Sequence, residues 1–441
     1  MKAFAKAVWL ALPLLTLAAL MLPARLPAEA AGAPFDLQRA LDSAQPGAEI
    51  RLPAGDHFGP VVIRKPIKLV GEGAQLRRAA DAAADQPLLL IEANGATVSG
   101  LQLTDEQLGL VVRGDDNQIL NVAIQAGQTA LKMEKSNRNL LRGLKISGSA
   151  ADVEQRGNGI EVWNSRDNRI EDSTLDSVQD GVYLDNSERT VVHNNRISNS
   201  RYAVHMMFSH QSAISSNELR RNVTGVMVME DQGSKVADNR ITEQAEHVQS
   251  QGILLFHVQD AQVANNRIEG NRVGLYVDQA EQNRIAGNQI LHNFLGVRMT
   301  ESRNNEFSGN LWAGNVVQAE ATDSVDNRMT GNYWDTHQGL DLDGDGRSEL
   351  PYVASPFFLS LTERAPAYQL FFQTPGLVIL EDLFTSSTDR WLRDDAPLLV
   401  PPVAEPRDAE RSRTPLFMFS SLLLGAGIYP FIRMIRRSVS S

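Results

Sequence analysis

The chain has 441 residues, with 53 acidic against 42 basic side chains and a formal net charge of −11. This acidic balance argues against nucleic acid as a partner, because phosphate binding needs a basic surface. The chain contains no cysteine. Disulfides therefore cannot stabilise it, and any soft-metal chemistry has to use methionine and histidine.

The N-terminus has the pattern of a secretory signal peptide over residues 1–30. Lys2 and Lys6 precede an apolar stretch, and Ala28-Glu29-Ala30 forms a small-x-small cleavage site without a twin arginine. We therefore expect export by the general secretory pathway. A retained membrane anchor is the alternative interpretation of the same segment.

A 22-residue repeat dominates the chain from Gly159 to Trp334. Each repeat begins with the element small residue–apolar–any–apolar, and successive elements lie 22 residues apart except for one interval of 27. The elements are GIEV at Gly159, GVYL at Gly181, AVHM at Ala203, GVMV at Gly225, GILL at Gly252, GLYV at Gly274 and GVRM at Gly296. Asparagines recur in step with them, 14 residues after the small residue, from Asn195 to Asn332.

Three short strands per repeat, with no helix between them, predict an all-β right-handed parallel β-helix over residues 31–335. About ten to twelve coils are expected between Ile50 and Trp334. Asparagine and glycine are expected at the corners because both tolerate left-handed backbone conformations, and stacked asparagines can pair their side-chain amides. A short helix over residues 35–44, with Leu37 and Leu41 on its apolar side, is predicted to cap the first coil.

The outward positions of the repeat indicate where function lies. In the four-residue element, the second and fourth residues are predicted to face inward, and the third residue and the one after the element to face outward. In the middle coils these outward residues are soft or apolar instead of charged. They are His205, Met207, Met227, Met229, Leu254 and Phe256, and His210 and His257 follow on the same coils.

Such a surface is typical of a partner-binding or ligand-binding site. We predict that His205, Met207, His210, Met227, Met229, Phe256 and His257 form a surface that contacts a partner or copper. Thioether and imidazole groups suit Cu(I), so His205, Met207, Met227 and Met229 are predicted as its ligands. A protein–protein surface with incidental histidines is the alternative, and the two interpretations are compatible. A one-residue slip in the strand register would bury the histidines instead.

An acidic segment follows the last repeat. Asp341, Asp343 and Asp345, with Glu349 nearby, resemble the first half of a calcium loop. The twelfth position of that loop is Tyr352, so the complete pattern is absent. A structural calcium ion and a simple acidic turn are both open interpretations.

The remaining C-terminal residues differ from the repeats. Residues 336–414 are predicted to hold the acidic loop and a proline-rich arm that docks on a membrane partner, and the arm contains Asp394, Asp395, Pro397 and Leu398. Residues 415–432 are apolar and precede a basic tail over residues 433–441. We predict a transmembrane or membrane-associated helix with the tail in the cytoplasm. A buried or amphipathic helix is the alternative.

Signals for catalysis are weak, and we assign no catalytic residue. Parallel β-helices often cut or epimerise acidic polysaccharides with several carboxylates on one strand face. Here the outward carboxylates Glu161, Asp185 and Asp278 are separated by the methionine and histidine rows. A polysaccharide lyase or epimerase, or a passive binding scaffold, remains as an alternative function.

The repeats and the segment GNYWDTHQGLDLDGDGRSELPY, from Gly331 to Tyr352, resemble the NosD family of periplasmic maturation proteins for nitrous oxide reductase. The resemblance implies a non-enzymatic accessory protein that receives or presents copper for the apo-reductase. It also implies an ABC-type permease with its ATPase and a copper chaperone as partners. The location would be the periplasm, with the C-terminus anchored in the inner membrane. The resemblance carries no residue-level copper motif.

Overall fold

The computed structural model describes residues 35–148, 150, 152–354 and 392–402. These residues form three sheets of stacked parallel strands, with 15, 13 and 12 strands, wound into one solenoid. The predicted all-β parallel β-helix is confirmed. It has about 13 coils instead of ten to twelve, because the irregular sequence before Gly159 also folds into regular coils.

The strands are numbered in chain order and lie in sheets A, B and C. Sheet A contains β1 Glu49–Arg51, β4 Lys68–Val70, β7 Thr97–Ser99, β10 Gln118–Leu120, β13 Leu140–Arg142, β16 Arg169–Glu171, β19 Val191–His193, β22 Ala213–Ser215, β25 Lys235–Ala237, β28 Gln262–Ala264, β31 Arg284–Ala286, β34 Glu306–Ser308, β37 Arg328–Thr330, β40 Leu392–Asp394 and β39 Tyr352–Ala354. Sheet B contains β2 Gly55–Gly59, β5 Ala74–Arg78, β8 Gln102–Asp105, β11 Ala123–Ala126, β14 Lys145–Gly148, β17 Thr174–Asp176, β20 Arg196–Ser198, β23 Glu218–Arg220, β26 Arg240–Thr242, β29 Arg267–Glu269, β32 Gln289–Leu291, β35 Leu311–Ala313 and β38 Tyr333–Trp334. Sheet C contains β3 Val61–Ile63, β6 Leu89–Ile91, β9 Leu108–Val112, β12 Thr129–Glu134, β15 Asn158–Trp163, β18 Asp180–Asp185, β21 Tyr202–Met207, β24 Thr224–Met229, β27 Gln251–Phe256, β30 Val273–Asp278, β33 Leu295–Thr300 and β36 Val317–Thr322.

A short helix, α1 (Leu37–Ser43), covers the first coil as predicted. The side chain of Asp36 accepts a hydrogen bond from the backbone N–H of Arg39 at 3.0 Å and so caps the helix N-terminus. Leu37 and Leu41 are buried against the first coils. The Gln38 side chain bonds to both backbone groups of Val62 in β3, at 2.8 and 3.2 Å. The helix therefore closes the open end of the core.

Buried asparagines hold successive coils in register. The side-chain oxygen of Asn217 accepts hydrogen bonds from the backbone N–H and the side-chain amide of Asn195, at 2.9 and 3.1 Å. The amide nitrogen of Asn217 donates to the carbonyl of Val192 at 2.9 Å. The predicted pairing of stacked asparagines is confirmed. The asparagine ladder is Asn195, Asn217, Asn239, Asn266, Asn288, Asn310 and Asn332.

The ladder asparagines do not supply the left-handed backbone that we expected of corner asparagines. The positive φ falls on the residue before each one, as at Asn194 (φ 53°) and Ser216 (φ 56°). The ladder residue itself turns inward and is almost fully shielded from solvent, as at Asn195 and Asn217. Its amide satisfies backbone groups that the turn would otherwise leave unpaired inside the core.

The C-terminal segment described over residues 392–402 folds back onto the last coil. Strand β40 pairs with β37 and, in antiparallel fashion, with β39. Asp394 is fully buried, and its Oδ2 accepts hydrogen bonds from the backbone and side chain of Asn332, at 3.0 and 2.8 Å, and from Trp334 Nε1 at 3.2 Å. A carboxylate therefore ends the asparagine ladder after the last coil of the described residues.

This packing corrects part of the predicted docking arm. Asp394 and Pro397 are buried, and Leu398 forms bridges with Tyr333 and Arg347. These residues close the solenoid because the last coil leaves donors that need an acceptor. Of the four predicted arm residues, Asp395 alone has a largely exposed side chain (73 % exposed).

The predicted membrane elements are not tested by these residues. Within the described ranges, no helix is both long and apolar enough to cross a bilayer. The predicted signal peptide over residues 1–30, helix over residues 415–432 and basic tail over residues 433–441 lie outside the described residues.

A buried carboxyl group interrupts one corner of the solenoid. Serine occupies this corner in the three preceding coils, and Asp231 takes the place 22 residues after Ser209. Asp231 is 3 % exposed and accepts hydrogen bonds from Ser234 N and Oγ at 3.3 and 2.8 Å. Burial raises the pKa of Asp231 to about 6, and the bonds from Ser234 only partly oppose this rise.

We expect Asp394→Ala to lower the free energy of unfolding by about 2–4 kcal/mol, because it leaves three buried donors without an acceptor. Chemical unfolding and limited proteolysis of the full chain measure the effect. Asp395→Ala is the matched control, since its side chain is exposed. Equal stability of the two variants would contradict the ladder-ending role of Asp394.

We expect Asp231→Asn to stabilise the chain by about 2 kcal/mol at pH 7, because the native fold then buries no charge. The folded pKa of Asp231, about 6, lies above the unfolded value of about 3.9. Native stability therefore falls as the pH rises between these two values, and the advantage of the variant disappears below about pH 4. Urea unfolding between pH 4 and 7 measures this difference, with the exposed Asp260→Asn as control. A pH-independent difference would contradict the assignment.

Candidate functional site

The register of sheet C brings the predicted site residues together. His205 pairs with Tyr183 on one side and Met227 on the other, and Met207 pairs with Met229. The residues between them, Val204 and Met206, point into the core and are fully buried. The predicted strand phase is therefore confirmed, and residues 22 apart in sequence become neighbours about 5 Å apart.

We call the outward side of β21, β24 and β27 the Met/His face. It consists of His205, Met207, Met227, Met229, Leu254 and Phe256. All of these residues are half-buried except His205, which is buried. The face is thus a soft, mostly apolar surface in the middle of the solenoid.

Phe208 extends the Met/His face, and the sequence analysis missed it. It follows Met207 at the corner, is 47 % exposed, and has a left-handed backbone with φ 50°. A bulky side chain rarely adopts this conformation. The equivalent residues one coil away on either side, Asn186 and Glu230, are polar. An exposed aromatic ring at this place enlarges the apolar surface.

His205 points outward but is almost completely covered. It is 8 % exposed, and its ring lies 4.9 Å from both the Tyr183 and the Tyr202 rings. Nδ1 of His205 lies 2.9 Å from Oδ2 of Asp180, and Nε2 is shielded from solvent without a hydrogen-bond partner. The structure therefore places a buried imidazole with one unpaired ring nitrogen on the strand face that also carries Met207 and Met227.

Asp180 and Arg201 complete the surroundings of His205. Arg201 donates two hydrogen bonds to the Asp180 carboxylate, both at 2.9 Å, and Asp180 is 1 % exposed. Burial alone raises the pKa of Asp180, but hydrogen bonds from His205 and Arg201 outweigh it and hold the pKa below the usual value. Asp180 therefore remains a carboxylate inside the protein.

The sequence analysis missed Asp180 and Arg201 because neither occupies an outward place in the repeat. Asp180 immediately precedes Gly181, at a position that holds uncharged residues in neighbouring coils, namely Asn158, Tyr202, Thr224 and Gln251. This unusual charge was the available signal. Its partner, Arg201, lies one coil later at the same corner, so only the stacking of coils shows the pair.

Tyr183 links the imidazole to the thioether of Met207. Its hydroxyl donates to Asp185 Oδ2 at 2.7 Å and lies 3.7 Å from Met207 Sδ. Burial, and then the bond to Asp185, raises the pKa of Tyr183 far above its ordinary value. Tyr183 therefore stays neutral and acts as a packing and hydrogen-bonding group.

The other two predicted histidines serve a neighbouring corner. His257 Nδ1 lies 2.8 Å from Glu230 Oε1, and its Nε2 contacts Gln279. The hydrogen bond with Glu230, and then that with Gln279, raises the pKa of His257. His210 is exposed, and both imidazoles line a cavity of about 620 Å³. His257 is therefore hydrogen-bonded at both ring nitrogens and His210 is exposed, whereas Nε2 of His205 is shielded and unpaired.

The outward carboxylates Glu161 and Asp185 are hydrogen-bonded to protein groups. Glu161 is 9 % exposed and accepts hydrogen bonds from Thr129, Asn158 and Trp163 at 3.0, 2.8 and 3.1 Å. Asp185 accepts the hydroxyl of Tyr183. These bonds tie the carboxylates to protein groups on the strands that lie before the Met/His face.

The acidic loop brings Asp341, Asp343 and Asp345 together, with their oxygens within 4.8 Å of one another. Backbone N–H groups of Gly344 and Gly346 donate to Asp341 at 2.6 and 3.0 Å. These bonds lower the pKa of Asp341. Glu349 accepts from the backbone of Leu342 instead. An acidic turn explains these contacts, and the calcium ion remains an untested prediction.

Comparisons with solved structures identify the fold. A family 28 exopolygalacturonase of Yersinia enterocolitica has a TM-score of 0.51 at 10 % identity, covering 66 % of this chain and 74 % of that one. The alginate lyase AlyF-OU02, in a complex with G6, has a TM-score of 0.50 at 12 % identity, covering 67 % and 81 %. At these identities the likeness concerns the β-helix alone. No curated protein sequence matches the chain.

A sequence family accounts for the central coils more specifically. The family described as "Periplasmic copper-binding protein (NosD)" matches residues 142–339. This range includes the whole Met/His face, Asp180 and Arg201, and it ends close to the end of the last coil. The resemblance seen in the sequence is thereby confirmed: residues 142–339 match the NosD family, and they lie in the parallel β-helix.

Proposed function

We propose that this chain is a non-enzymatic accessory protein that receives or presents copper while the copper sites of nitrous oxide reductase are assembled. The family description, a periplasmic copper-binding protein, supports copper handling outside the cytoplasm. The observation that carries the proposal is the Met/His face, where thioethers and an imidazole line one side of the solenoid.

The donors on this face match Cu(I) better than harder ions. Thioether sulfur and imidazole nitrogen are soft, neutral ligands, whereas calcium and magnesium take oxygen ligands. No group of three or more acidic or histidine ligands converges on the face within the described residues. A monovalent ion also needs less compensating charge in a covered site than a divalent one.

The shape and chemistry of the face also suit transfer to another protein. Half-buried methionines, Phe256 and the exposed ring of Phe208 form an apolar surface that a partner can cover. Methionine side chains are flexible and adapt to different partners. We propose a copper chaperone and the apo-reductase as the partners that use this face.

The C-terminal region supplies the other part of the proposal. An ABC-type permease with its ATPase is proposed to hold the chain at the inner membrane. Its contacts would be residues 415–432 and the part of the proline-rich segment that does not close the solenoid. The exposed Asp395 and Val400 lie on the described part of that segment.

We expect the combined replacement Met207→Leu, Met227→Leu and Met229→Leu to weaken Cu(I) binding about tenfold or more, about 1.4 kcal/mol. Leucine preserves size and apolar character but removes the sulfur ligand. Competition of the full chain with a chromogenic Cu(I) chelator measures affinity, and metal analysis of the reductase from cells measures copper loading.

Met206→Leu is the matched control, because Met206 directly precedes Met207 but points into the core. It should leave both measurements unchanged. Full copper loading by the triple variant at normal protein level would remove the proposed role of the face. A passive scaffold predicts that outcome.

An enzymatic function is the competing proposal, since β-helices of the same fold include polysaccharide-degrading enzymes. We expect no cleavage or epimerisation when the purified solenoid is incubated with alginate or polygalacturonate, because Glu161 and Asp185 are bound to neighbouring side chains. Product analysis by chromatography and NMR checks this. Turnover that disappears in Asp180→Asn would support an enzyme instead.

A further inference from the structure

Next to the half-buried methionines of the Met/His face lies a buried polar cluster that the fold does not require. In neighbouring coils, uncharged residues occupy the position equivalent to Asp180 at this corner. Here Asp180 accepts hydrogen bonds from Arg201 and His205, all at 2.9 Å. Burying such a charged network is costly unless every polar group has a partner.

One atom of this cluster has none. Nε2 of His205 is shielded from solvent and makes no hydrogen bond, although the residue is only 8 % exposed. A buried polar nitrogen without a hydrogen-bond partner lowers the stability of the fold. Such an atom indicates a missing ligand or water.

The hydrogen bonds of the cluster determine which tautomer His205 adopts, and so whether Nε2 carries a proton or a lone pair. Arg201 is always protonated and donates to Asp180. An ionised carboxylate only accepts hydrogen bonds, so the proton between Asp180 and His205 belongs to Nδ1 of the imidazole. In the neutral ring, Nε2 then presents its lone pair. Metal-binding histidines are commonly oriented by a carboxylate in this way.

Two methionines share the outward strand face of His205. Met227 is the register neighbour of His205, and Met207 lies two residues further along the same strand face. The sulfur of Met207 contacts the hydroxyl of Tyr183, whose ring packs on His205. Met207 and Met227 are half-buried, so both side chains are more accessible from solvent than the shielded nitrogen of His205.

We infer that Nε2 of His205 is the nitrogen ligand for Cu(I) on the Met/His face, and that Asp180 and Arg201 are positioning residues that fix its tautomer and orientation. This inference rests on the proposed copper function and assigns its site. It distinguishes His205 from His210, which is exposed, and from His257, whose Nδ1 is hydrogen-bonded to Glu230. The methionine thioethers and a neutral imidazole carry no charge, and the Asp180–Arg201 pair has no net charge. Such a site favours a monovalent ion.

Anaerobic titration of the full chain with Cu(I), against a chromogenic chelator, tests the assignment. We expect His205→Gln to weaken Cu(I) binding tenfold or more, and Asp180→Asn to weaken it by about tenfold, as is typical for carboxylates that orient a ligand. His193→Gln is the matched control. His193 is also a half-buried imidazole on an outward strand face, but its Nδ1 is bonded to Ser215, and we expect unchanged affinity.

Nitrogen NMR of the full chain labelled at histidine supplies a measurement that a merely structural role would not affect. The native chain should show His205 with its proton on Nδ1, and addition of Cu(I) should move the Nε2 resonance. Asp180→Asn should produce a mixture of tautomers in the metal-free chain. Unfolding midpoints show whether each variant is folded, and the native spectrum remains decisive if a variant is not.

The outcomes separate this inference from the proposed function. If His205→Gln binds Cu(I) normally, or Cu(I) leaves Nε2 unchanged, while the triple methionine variant loses binding, the assignment of His205 is overturned and the copper function stands. If neither variant affects Cu(I) binding, both are overturned. Loss in His205→Gln with an unchanged His193→Gln supports both.

Discussion

The asparagine ladder is the interaction on which the rest of the structure depends. Each ladder amide both accepts from and donates to the preceding coil, so a coil cannot shift without breaking buried hydrogen bonds. A shift of one residue would also turn every core side chain to the outside. The ladder therefore fixes which residues meet on the surface, and it continues until Asp394 accepts the last donors.

Because the register between coils is fixed, side chains from different repeats meet at defined positions and form the candidate site. His205 and Met227 are 22 residues apart in sequence yet neighbours in sheet C, and Arg201 reaches Asp180 from the following coil. No local segment contains the site. Each coil contributes one or two side chains, and small changes in successive repeats can therefore alter the surface without altering the core. The Met/His face is such a change, since Val204 and Met206 beneath it remain ordinary core residues.

The sequence predicted the β-helix, its cap and the outward columns because these follow from residue periodicity. It missed Asp180 and Arg201 because their pairing depends on how corners stack, which the period of two along a strand does not describe. Asp394 was misplaced for a related reason. It lies 62 residues after Asn332, and a proline-rich segment shows no pattern that would reveal a long-range bond. Sequence patterns predict contacts that recur in every repeat well, and they predict contacts that occur only once poorly.

The same fold can support catalysis or the binding and transfer of an ion. The difference lies in which side chains on the outward strand face remain free to react. A polysaccharide-cutting site needs carboxylates that are free to exchange protons with a bound sugar. In this solenoid Glu161 and Asp185 are already bonded to protein donors. On the Met/His face, Nε2 of His205 is buried without a hydrogen-bond partner, and Met227 is the register neighbour of this histidine. Neutral soft donors on an outward face are what the proposed copper function requires.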